Sequence, residues 1–577
     1  MSFGFLSHKS ARIPLACAVL TLLHLDCPAV FAQPPTLPLE RPGEERPPLS
    51  ASREPTLPSL ALPPVTPPPG EDRLSTQVRV FVRQFQLTGN TVFADEELAQ
   101  VTAPYENRRI TAEELQEVRH KLTLYYVERG YINSGAVIPD QPVADGVINI
   151  QIIEGTLTDI DIGGNKRLRS GYLSNRLALG AGPPLNIQAL QQRLQLLQQD
   201  PLIARVNAEL VPGLKAGEGV LKVQVREETP YQFGLVFAND RPPSVGAERA
   251  RLYAAHRNLT GWGDSIALWY GLTEGADDVS LAYALPLNAY DTTLTLGFIQ
   301  SDSTVIEEPF ADLDIDSELE TYGITLSHPF YRTPQRTFSL GLSLERRHSK
   351  TFVQGIPFSF SPGVEDGEST VTVVRFFQEW LDRRLNQVIA VRSTFSLGID
   401  ALGATINAGG LPDGRFLAWL GQFQWARRFG ERGNQVIFRT DLQLARESLL
   451  PLEKFSIGGG TTVRGYRENQ LVRDNGWVTS LEFRLPIFRL PLPRISHGPE
   501  EGMVQLAPFA DFGRSWNTDE PTPDPKTISS IGLGVRWDPS PSIHAQLYGG
   551  LALRNIDTAE HDLQDSGIHF ALRLFYP

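Results

Sequence analysis

Phe338-Ser339-Leu340-Gly341-Leu342-Ser343-Leu344-Glu345 is the stretch that decides the fold, because large apolar residues alternate in it with small or polar ones. The same period of two recurs from Ile266 to Leu272 and from Ile531 to Trp537. This period is typical of β-strands that have two different faces. Serine, glycine, glutamate and arginine recur on the second face, which suits a wide, water-filled lumen with lipid outside better than the core of a soluble sandwich. The sequence from Tyr231 onward therefore predicts transmembrane strands.

Counting these runs between turn signals predicts an antiparallel barrel of about 16 strands over residues 229–577, within the range of bacterial outer-membrane barrels. Closure is expected because a strand edge cannot remain unpaired in lipid. The last run supports this prediction, since its alternate residues are large and apolar: Ile568, Phe570, Leu572, Leu574 and Tyr576. Outer-membrane barrels usually end on an aromatic residue, and this chain departs from that pattern by adding Pro577.

Residues 1–32 have the order of a secretory signal peptide, with a charged start, an apolar run and a small-residue cleavage site. These parts are Lys9 and Arg12, then residues 13–25, then Val30-Phe31-Ala32. The apolar run is too short to span a membrane comfortably. Both cysteines of the chain, Cys17 and Cys27, fall in this segment, so we expect no disulfide or thiol chemistry in the mature protein.

Residues 33–77 read as a proline-rich linker, because thirteen prolines fall between Pro34 and Pro69. Proline fixes φ and lacks a backbone donor, so we expect an extended spacer without helix or sheet pairing. A proline-rich recognition motif is the alternative interpretation of this segment.

Residues 78–155 and 156–228 read as two copies of one small α+β domain. The Gly-Asn turn that contains Asn90 recurs 75 residues later at Asn165. In the first copy, Thr111 and Glu114 are spaced as a capping box that opens a helix. Helices are predicted at 95–101, 111–130, 170–179 and 187–198, and strands at 80–87, 135–139, 147–153, 158–162, 206–211 and 220–225.

Two short motifs in the barrel region are predicted to meet. Val463-Arg464-Gly465-Tyr466 follows a glycine-rich segment, and Phe509, Asp511 and Gly513 lie in a strand-like run downstream. In a barrel with a polar interior, an arginine on a long loop can fold inward and make a bidentate pair with a carboxylate on the wall. We therefore predict an inward loop around residues 455–475 that is latched by Arg464 and Asp511.

The sequence offers little for catalysis or cofactor binding. None of the ten histidines lies in a Gly-x-Ser-x-Gly or His-Glu-x-x-His motif. The glycines at 458–460 lack the Lys-Ser/Thr of a phosphate-binding loop. A net charge of −13 argues against nucleic acid as a partner. We therefore predict a protein that is not an enzyme and holds no cofactor or metal.

Several segments of the first α+β domain together resemble a known family. They are Phe85–Phe93, Leu124–Tyr131, Ile138–Gln141 and Ile153–Gly155. In this order they resemble the first POTRA (polypeptide-transport-associated) domain of two-partner secretion transporters, the haemolysin and filamentous-haemagglutinin exporters. The Arg464 and Asp511 motifs are similar to those of the wider superfamily of POTRA-bearing barrels. The resemblance covers the chain from about residue 78 to its end.

This resemblance implies an outer-membrane transporter, expected as a monomer, with its POTRA domains in the periplasm. Its implied partners are an unfolded exoprotein, outer-membrane lipid and, during biogenesis, the barrel assembly machinery. Related transporters carry a plug helix ahead of the linker, for which the prolines of residues 34–70 leave little room. The alternatives are an outer-membrane insertase, which would carry more POTRA domains, and a passive porin or outer-membrane enzyme.

Overall fold

The computed structural model describes residues 59–61, 79–143, 145–557 and 562–576. The predicted signal peptide, the place of a plug helix, Pro577 and all of the linker except residues 59–61 lie outside the described residues. Within the described ranges, no helix has both the length and the apolar character needed to cross a membrane.

The first domain, residues 79–155, packs two helices against short strands. In chain order, after β1 (Ser59–Ala61), it contains β2 (Arg79–Val82), β3 (Gln84–Thr88), α1 (Asp95–Thr102), β4 (Arg108–Thr111), α2 (Ala112–Glu128), β5 (Gly135–Val137) and β6 (Val147–Ile153). The sheet order is β3-β6-β5, and β2 pairs separately with β4. The capping box is confirmed, because Thr111 accepts from the Glu114 amide and Glu114 accepts from the Thr111 amide.

The second domain, residues 156–228, repeats this plan with longer strands. It contains β7 (Thr156–Gly163), α3 (Ser170–Ala178), α4 (Ile187–Gln198), β8 (Ile203–Pro212) and β9 (Glu218–Glu227), and its sheet order is β1-β8-β9-β7. The expectation that the linker makes no sheet pairing is wrong, because β1 lies in the linker and pairs with β8. The physical reason is local: Ser59-Leu60-Ala61 contains no proline, so its amides can join a ladder.

Each domain is closed by a glutamate at the end of its last strand. The Glu154 carboxylate accepts bonds from the amides of Thr91 and Val92 at 2.7 and 3.0 Å, in the turn after β3. Glu227 accepts in the same way from three consecutive amides, Lys166 to Leu168, in the turn after β7. Two copies of one unit explain this equivalence.

The remaining strands form a closed antiparallel barrel and a separate two-stranded sheet. They are β10 (Tyr231–Ala238), β11 (Arg249–His256), β12 (Ser265–Leu272), β13 (Ala276–Pro286), β14 (Thr293–Thr304), β15 (Ile315–Arg332), β16 (Arg336–Val353), β17 (Ile356–Pro357), β18 (Glu368–Arg384), β19 (Gln387–Gly398), β20 (Leu417–Phe429), β21 (Asn434–Ala445), β22 (Phe455–Ile457), β23 (Leu471–Arg473), β24 (Asn475–Arg489), β25 (Met503–Trp516), β26 (Thr527–Ser540), β27 (Ile543–Ala552) and β28 (Ile568–Tyr576). Sixteen of them make the wall, since β17 is a two-residue addition to β16 and β22 pairs only with β23. The ring closes between β10 and β28. The predicted strand number is confirmed.

The two faces of the strands follow the predicted alternation. On β16, Leu342 and Leu344 are 53% and 39% exposed, whereas Ser343 and Glu345, which alternate with them, are each 4% exposed. The exposed leucines form part of the lipid-facing surface, and the buried polar residues face the lumen. The ladders between neighbouring strands pair the backbone groups within the wall, and this alternation separates lipid from water.

The second domain contacts the turns at the near end of the barrel. The Arg169 amide donates to the Gly261 carbonyl at 3.0 Å, in a turn that Asn258 and Asp264 organise through bonds to nearby amides. Arg176 on α3 pairs with Asp291 at 2.6 Å, in the turn between β13 and β14. These contacts fix which end of the barrel lies next to the N-terminal domains.

Candidate functional site

The candidate site is the long loop of residues 446–474, which joins β21 to β24 at the end of the barrel far from the N-terminal domains. Its two arms, β22 and β23, pair with each other, and the tip between them folds back into the lumen. Buried apolar side chains support the tip and its arms: Phe455, Ile457, Val463, Tyr466 and Leu471. The loop is therefore a packed element inside the barrel.

Arg464 lies at the centre of the loop contacts. Its Nε and Nη2 atoms donate to the two carboxylate oxygens of Asp511, each at 2.8 Å, and its backbone amide donates to the same carboxylate at 3.0 Å. Nη1 donates to Glu482 at 2.5 Å. The Asp511 side chain is 0% exposed, so this is a desolvated, two-point ion pair with little solvent screening.

The other residues of the two motifs fit the loop against the wall. Phe509 lies under the guanidinium of Arg464, with its ring centroid 3.6 Å from Cζ. The Tyr466 hydroxyl donates to the Ser529 carbonyl at 3.0 Å and accepts from the Arg554 amide at 3.2 Å. The structure thus brings the residues of both motifs together in one contact region.

Two glycines make this close approach possible. Gly465 has φ +93, and a Cβ there would lie 3.0 Å from the backbone of Gly550 on β27. A Cβ on Gly513 would lie 2.5 Å from Cγ2 of Ile457 and 2.9 Å from Cγ2 of Val463. Any larger side chain at either position would push the loop away from the wall.

Sequence reasoning missed Glu482, which carries a second carboxylate to Arg464. Glu482 also accepts from Nε of Arg484 at 2.7 Å and from the Tyr548 hydroxyl at 3.3 Å. Its signal was present, because β24 alternates and places Glu482 on the lumen face between the exposed Leu481 and Phe483. Counting inward charges along that strand would have found it.

A second ionic contact holds the base of the loop. Glu453 accepts from Nη2 of Arg375 on β18 at 2.8 Å and from Nη1 of Arg347 on β16 at 3.1 Å. Arg375 also pairs with Glu345 at 3.1 Å. Both side chains of the Arg347–Glu453 pair are 2% exposed. The loop is therefore fixed by buried charge pairs at its base and at its tip.

A third contact ties the tip to two other loops. Arg467 donates through Nε to Asp565 at 2.6 Å, in the loop between β27 and β28. Its Nη1 atom donates to Glu307 at 2.7 Å, in the loop between β14 and β15. Three ionic groups therefore hold one loop, and all of them are made by side chains, whereas the wall is held by backbone ladders.

In the first domain, Glu154 belongs to the predicted Ile-Glu-Gly signature. Burial tends to raise the pKa of this carboxyl, but the hydrogen bonds from Thr91, Val92 and Tyr126 outweigh burial and lower its pKa below the usual value. Glu154 is therefore held ionised, and its carboxylate joins the end of β6 to the turn after β3.

Comparisons with known proteins agree with this architecture. A family model described as haemolysin secretion/activation protein ShlB/FhaC/HecB matches residues 217–537, and one described as POTRA domain, ShlB-type, matches residues 80–155. The outer membrane transporter CdiB of Dickeya dadantii (strain 3937) is 22% identical over 469 residues, which cover 79% of each chain. The hemolysin transporter protein ShlB of Serratia marcescens is 23% identical over 383 residues, which cover 64% of this chain and 65% of the relative.

Solved structures show the same fold. The structure of CdiB from Escherichia coli matches with a TM-score of 0.66 and 22% sequence identity, and the match covers 89% of this chain and 93% of the other. The structure of BamA from Haemophilus ducreyi, which lacks POTRA domains 1–3, matches with a TM-score of 0.51 and 14% identity. The barrel architecture is thus shared with both proteins.

A closed barrel that follows POTRA domains and encloses a loop defines the class of POTRA-bearing outer-membrane barrels. Because the family model matches more than half of the sequence, the chain belongs to the haemolysin secretion/activation protein ShlB/FhaC/HecB family. The resemblance to two-partner secretion transporters is confirmed. The barrel lies in the outer membrane with its POTRA domains in the periplasm, and the loop of residues 446–474 enters the lumen from the extracellular side.

Proposed function

We propose that this chain captures one unfolded exoprotein through its POTRA domains and conducts it outward through the barrel. The observation that carries the proposal is the loop of residues 446–474, because it lies in the lumen and is held there by hydrogen bonds and ion pairs. Such contacts can be exchanged for contacts with a passing chain, whereas the ladders of the wall remain intact. The loop is thus suited to move without opening the barrel.

The POTRA domains supply the capture step in this proposal. Their sheets are small and have edges that an extended peptide can join by backbone hydrogen bonds. Strand addition suits an unfolded substrate, since it reads backbone rather than a folded surface. The sequence contains no nucleotide motif, so folding of the exoprotein outside the cell is the proposed driving force.

We further propose that the protein works as a monomer, surrounded by outer-membrane lipid and inserted by the barrel assembly machinery. The exported substrate is expected to be a large secreted β-helical protein from the same genome. Co-expression with each such candidate, followed by assay of the culture medium, tests the proposal. One candidate should reach the medium only when this chain is present.

The same experiment separates export from barrel insertion. If the chain is an insertase, its removal should lower the amounts of other outer-membrane barrels and leave no single exoprotein behind. If it is a passive porin, its removal should change the uptake of small solutes alone. Either of these results, without loss of an exoprotein from the medium, would refute the proposed export.

A further inference from the structure

The outer edge of β8 carries a strand from elsewhere in the chain. Ser59, Leu60 and Ala61 pair in parallel with Asn207, Ala208 and Glu209. On its other side, β8 is joined to β9 by a regular antiparallel ladder from Arg205 to Pro212. Without β1, β8 would be a terminal strand of this sheet.

The pairing covers little of the available edge. β1 has three residues, whereas β8 has ten. In the sequence, Pro58 comes directly before β1, and Pro63 lies two residues after it. Proline cannot donate to a ladder, so the pairing has little room to lengthen in either direction. A strand of this length makes few hydrogen bonds, and a longer strand would replace it with a net gain.

We propose that the outer edge of β8 is the docking edge for an extended segment of the unfolded exoprotein, and that residues 59–61 hold this edge until that segment displaces them. This inference rests on the proposed export function and names the surface at which capture occurs. The occupant is a strand of unfolded polypeptide, because the chain's own occupant is an extended strand held by backbone pairing.

The rest of β8 is built as a rigid docking edge. Val206, Ala208 and Leu210 are buried in the core of the second domain, packed with its helices. Arg205, Asn207 and Glu209 alternate with them and are exposed. The edge is therefore supported by the core of its own domain, and an incoming strand would meet apolar neighbours on one face and polar neighbours on the other.

The other terminal strands of the two domains are less suited to this role. β5 has three residues and β3 has five. β7 and β8 each have a register shift with β9 near their first residues, between Leu157 and Asp159 and between Ile203 and Arg205. After that shift the regular ladder of β8 is the longer one, since it runs from Arg205 to Pro212, whereas that of β7 runs from Asp159 to Gly163. Among the described strands of these domains, β8 has the longest terminal edge, and it already carries a strand.

Because β1 is tethered to the same chain, it changes the affinity of the β8 edge for the exoprotein in a definite way. Linkage to the same chain gives β1 an effective concentration in the millimolar range, so even a weak strand can occupy the edge for much of the time. It would shield the edge from unrelated strands. It would also lower the apparent affinity for the exoprotein in proportion to its occupancy.

A disulfide lock tests the proposal in the full-length protein, purified in detergent. Ser59→Cys with Asn207→Cys joins a directly paired couple across β1 and β8. Asp161→Cys with Lys222→Cys is the matched control, because this couple is paired in parallel across β7 and β9 of the same sheet and both of its residues are exposed. Both natural cysteines lie in the predicted signal peptide, so the mature background has no other thiol. The probe is a urea-unfolded N-terminal fragment of the exoprotein that the secretion assay identifies, diluted into binding buffer.

We expect the oxidised Ser59–Asn207 lock to weaken binding of the probe at least about tenfold, and reduction to restore it. The oxidised control should bind like the unmodified protein. Equal binding by the locked and reduced forms would overturn the docking edge while leaving export intact. Failure of the Ser59–Asn207 disulfide to form, when the control disulfide forms, would overturn it as well. No binding by the reduced or unmodified protein would instead refute capture itself, and the inference with it.

A second variant works in the opposite direction. Replacing Ser59, Leu60 and Ala61 together by proline keeps the linker length and removes three backbone donors. Binding of the same probe should tighten about two- to tenfold, because the edge is then free. Unchanged or weaker binding would show that β1 does not compete for this edge.

Discussion

Replacing Arg464 by alanine should release the inserted loop while the barrel still assembles. The change removes four side-chain hydrogen bonds, two to Asp511, one to Glu482 and one to Ser480. Of the contacts between Asp511 and residue 464, only the hydrogen bond from the backbone amide then remains. The Asp511 side chain is 0% exposed, so water does not replace the lost contacts. Breaking a buried pair from one side costs about 3–5 kcal/mol, and less if water enters.

That cost bears on the docked state of the loop. About 3 kcal/mol changes the ratio of docked to released loop by roughly two orders of magnitude. Arg464→Lys should also fail in large part, because an ammonium group cannot reproduce the planar two-point contact. Asp511→Ala should be milder than Arg464→Ala, since Glu482 and the ring of Phe509 still hold the guanidinium.

Secretion into the medium and single-channel conductance in planar bilayers measure these effects. Arg446→Ala is the matched control, because Arg446 lies in the same loop with its side chain 77% exposed. The double variant of Arg464 and Asp511 should be little worse than Arg464→Ala alone. Normal secretion by Arg464→Ala, or single effects that simply add, would show that the loop is held by other contacts.

Four further predictions concern other parts of the chain. The mature protein should fractionate with the outer membrane and migrate differently on gels before and after heating; recovery in the soluble periplasm would contradict this. Deleting residues 78–155 should abolish export and leave the barrel inserted, as judged by export and heat-modifiable migration; normal export would disprove a docking role for the first domain. Glu453→Ala should raise channel conductance, because it leaves Arg347 and Arg375 without a shared carboxylate. Glu447→Ala, at a more exposed site, should leave the conductance unchanged. Equal conductance of the Glu453→Ala variant and the unmodified protein would refute a role for the loop base. Glu154→Gln should destabilise the first domain by about 1–3 kcal/mol above pH 5 and by less at lower pH, because a carboxyl with a lowered pKa stabilises the fold only while it is ionised. Proteolysis of the full chain across a range of pH measures this difference, with Glu128→Gln at an exposed position as the control. A difference that does not depend on pH would contradict the prediction.

The parts of the fold governed by local periodicity could be read from the sequence. The alternation around Leu342 determined which residues face lipid, and the Thr111–Glu114 spacing determined where α2 begins. α4 has its predicted bounds, because both its asparagine cap and its apolar stripe are local signals.

The rest depends on which segments meet in three dimensions. Glu453 lies in a short turn whose sequence gives no sign of two arginines on distant strands. The docking of Arg176 on Asp291 joins residues of different domains. β1 was missed for another reason. The average proline content of residues 33–77 predicts an unpaired linker, and the proline-free stretch inside them is too short to change that average. A contact between two separate elements produces no repeating pattern in the sequence of either element, so it cannot be read from the sequence.

The paired glutamates Glu154 and Glu227 have a consequence for how such a periplasmic arm can change its length. Each one ties the last strand of its domain to the first turn of the same domain, so this particular contact lies wholly within one unit. Tandem duplication of such a unit would copy the closing glutamate together with the turn that it binds. Arm length then becomes a matter of copy number, set by tandem duplication of a module.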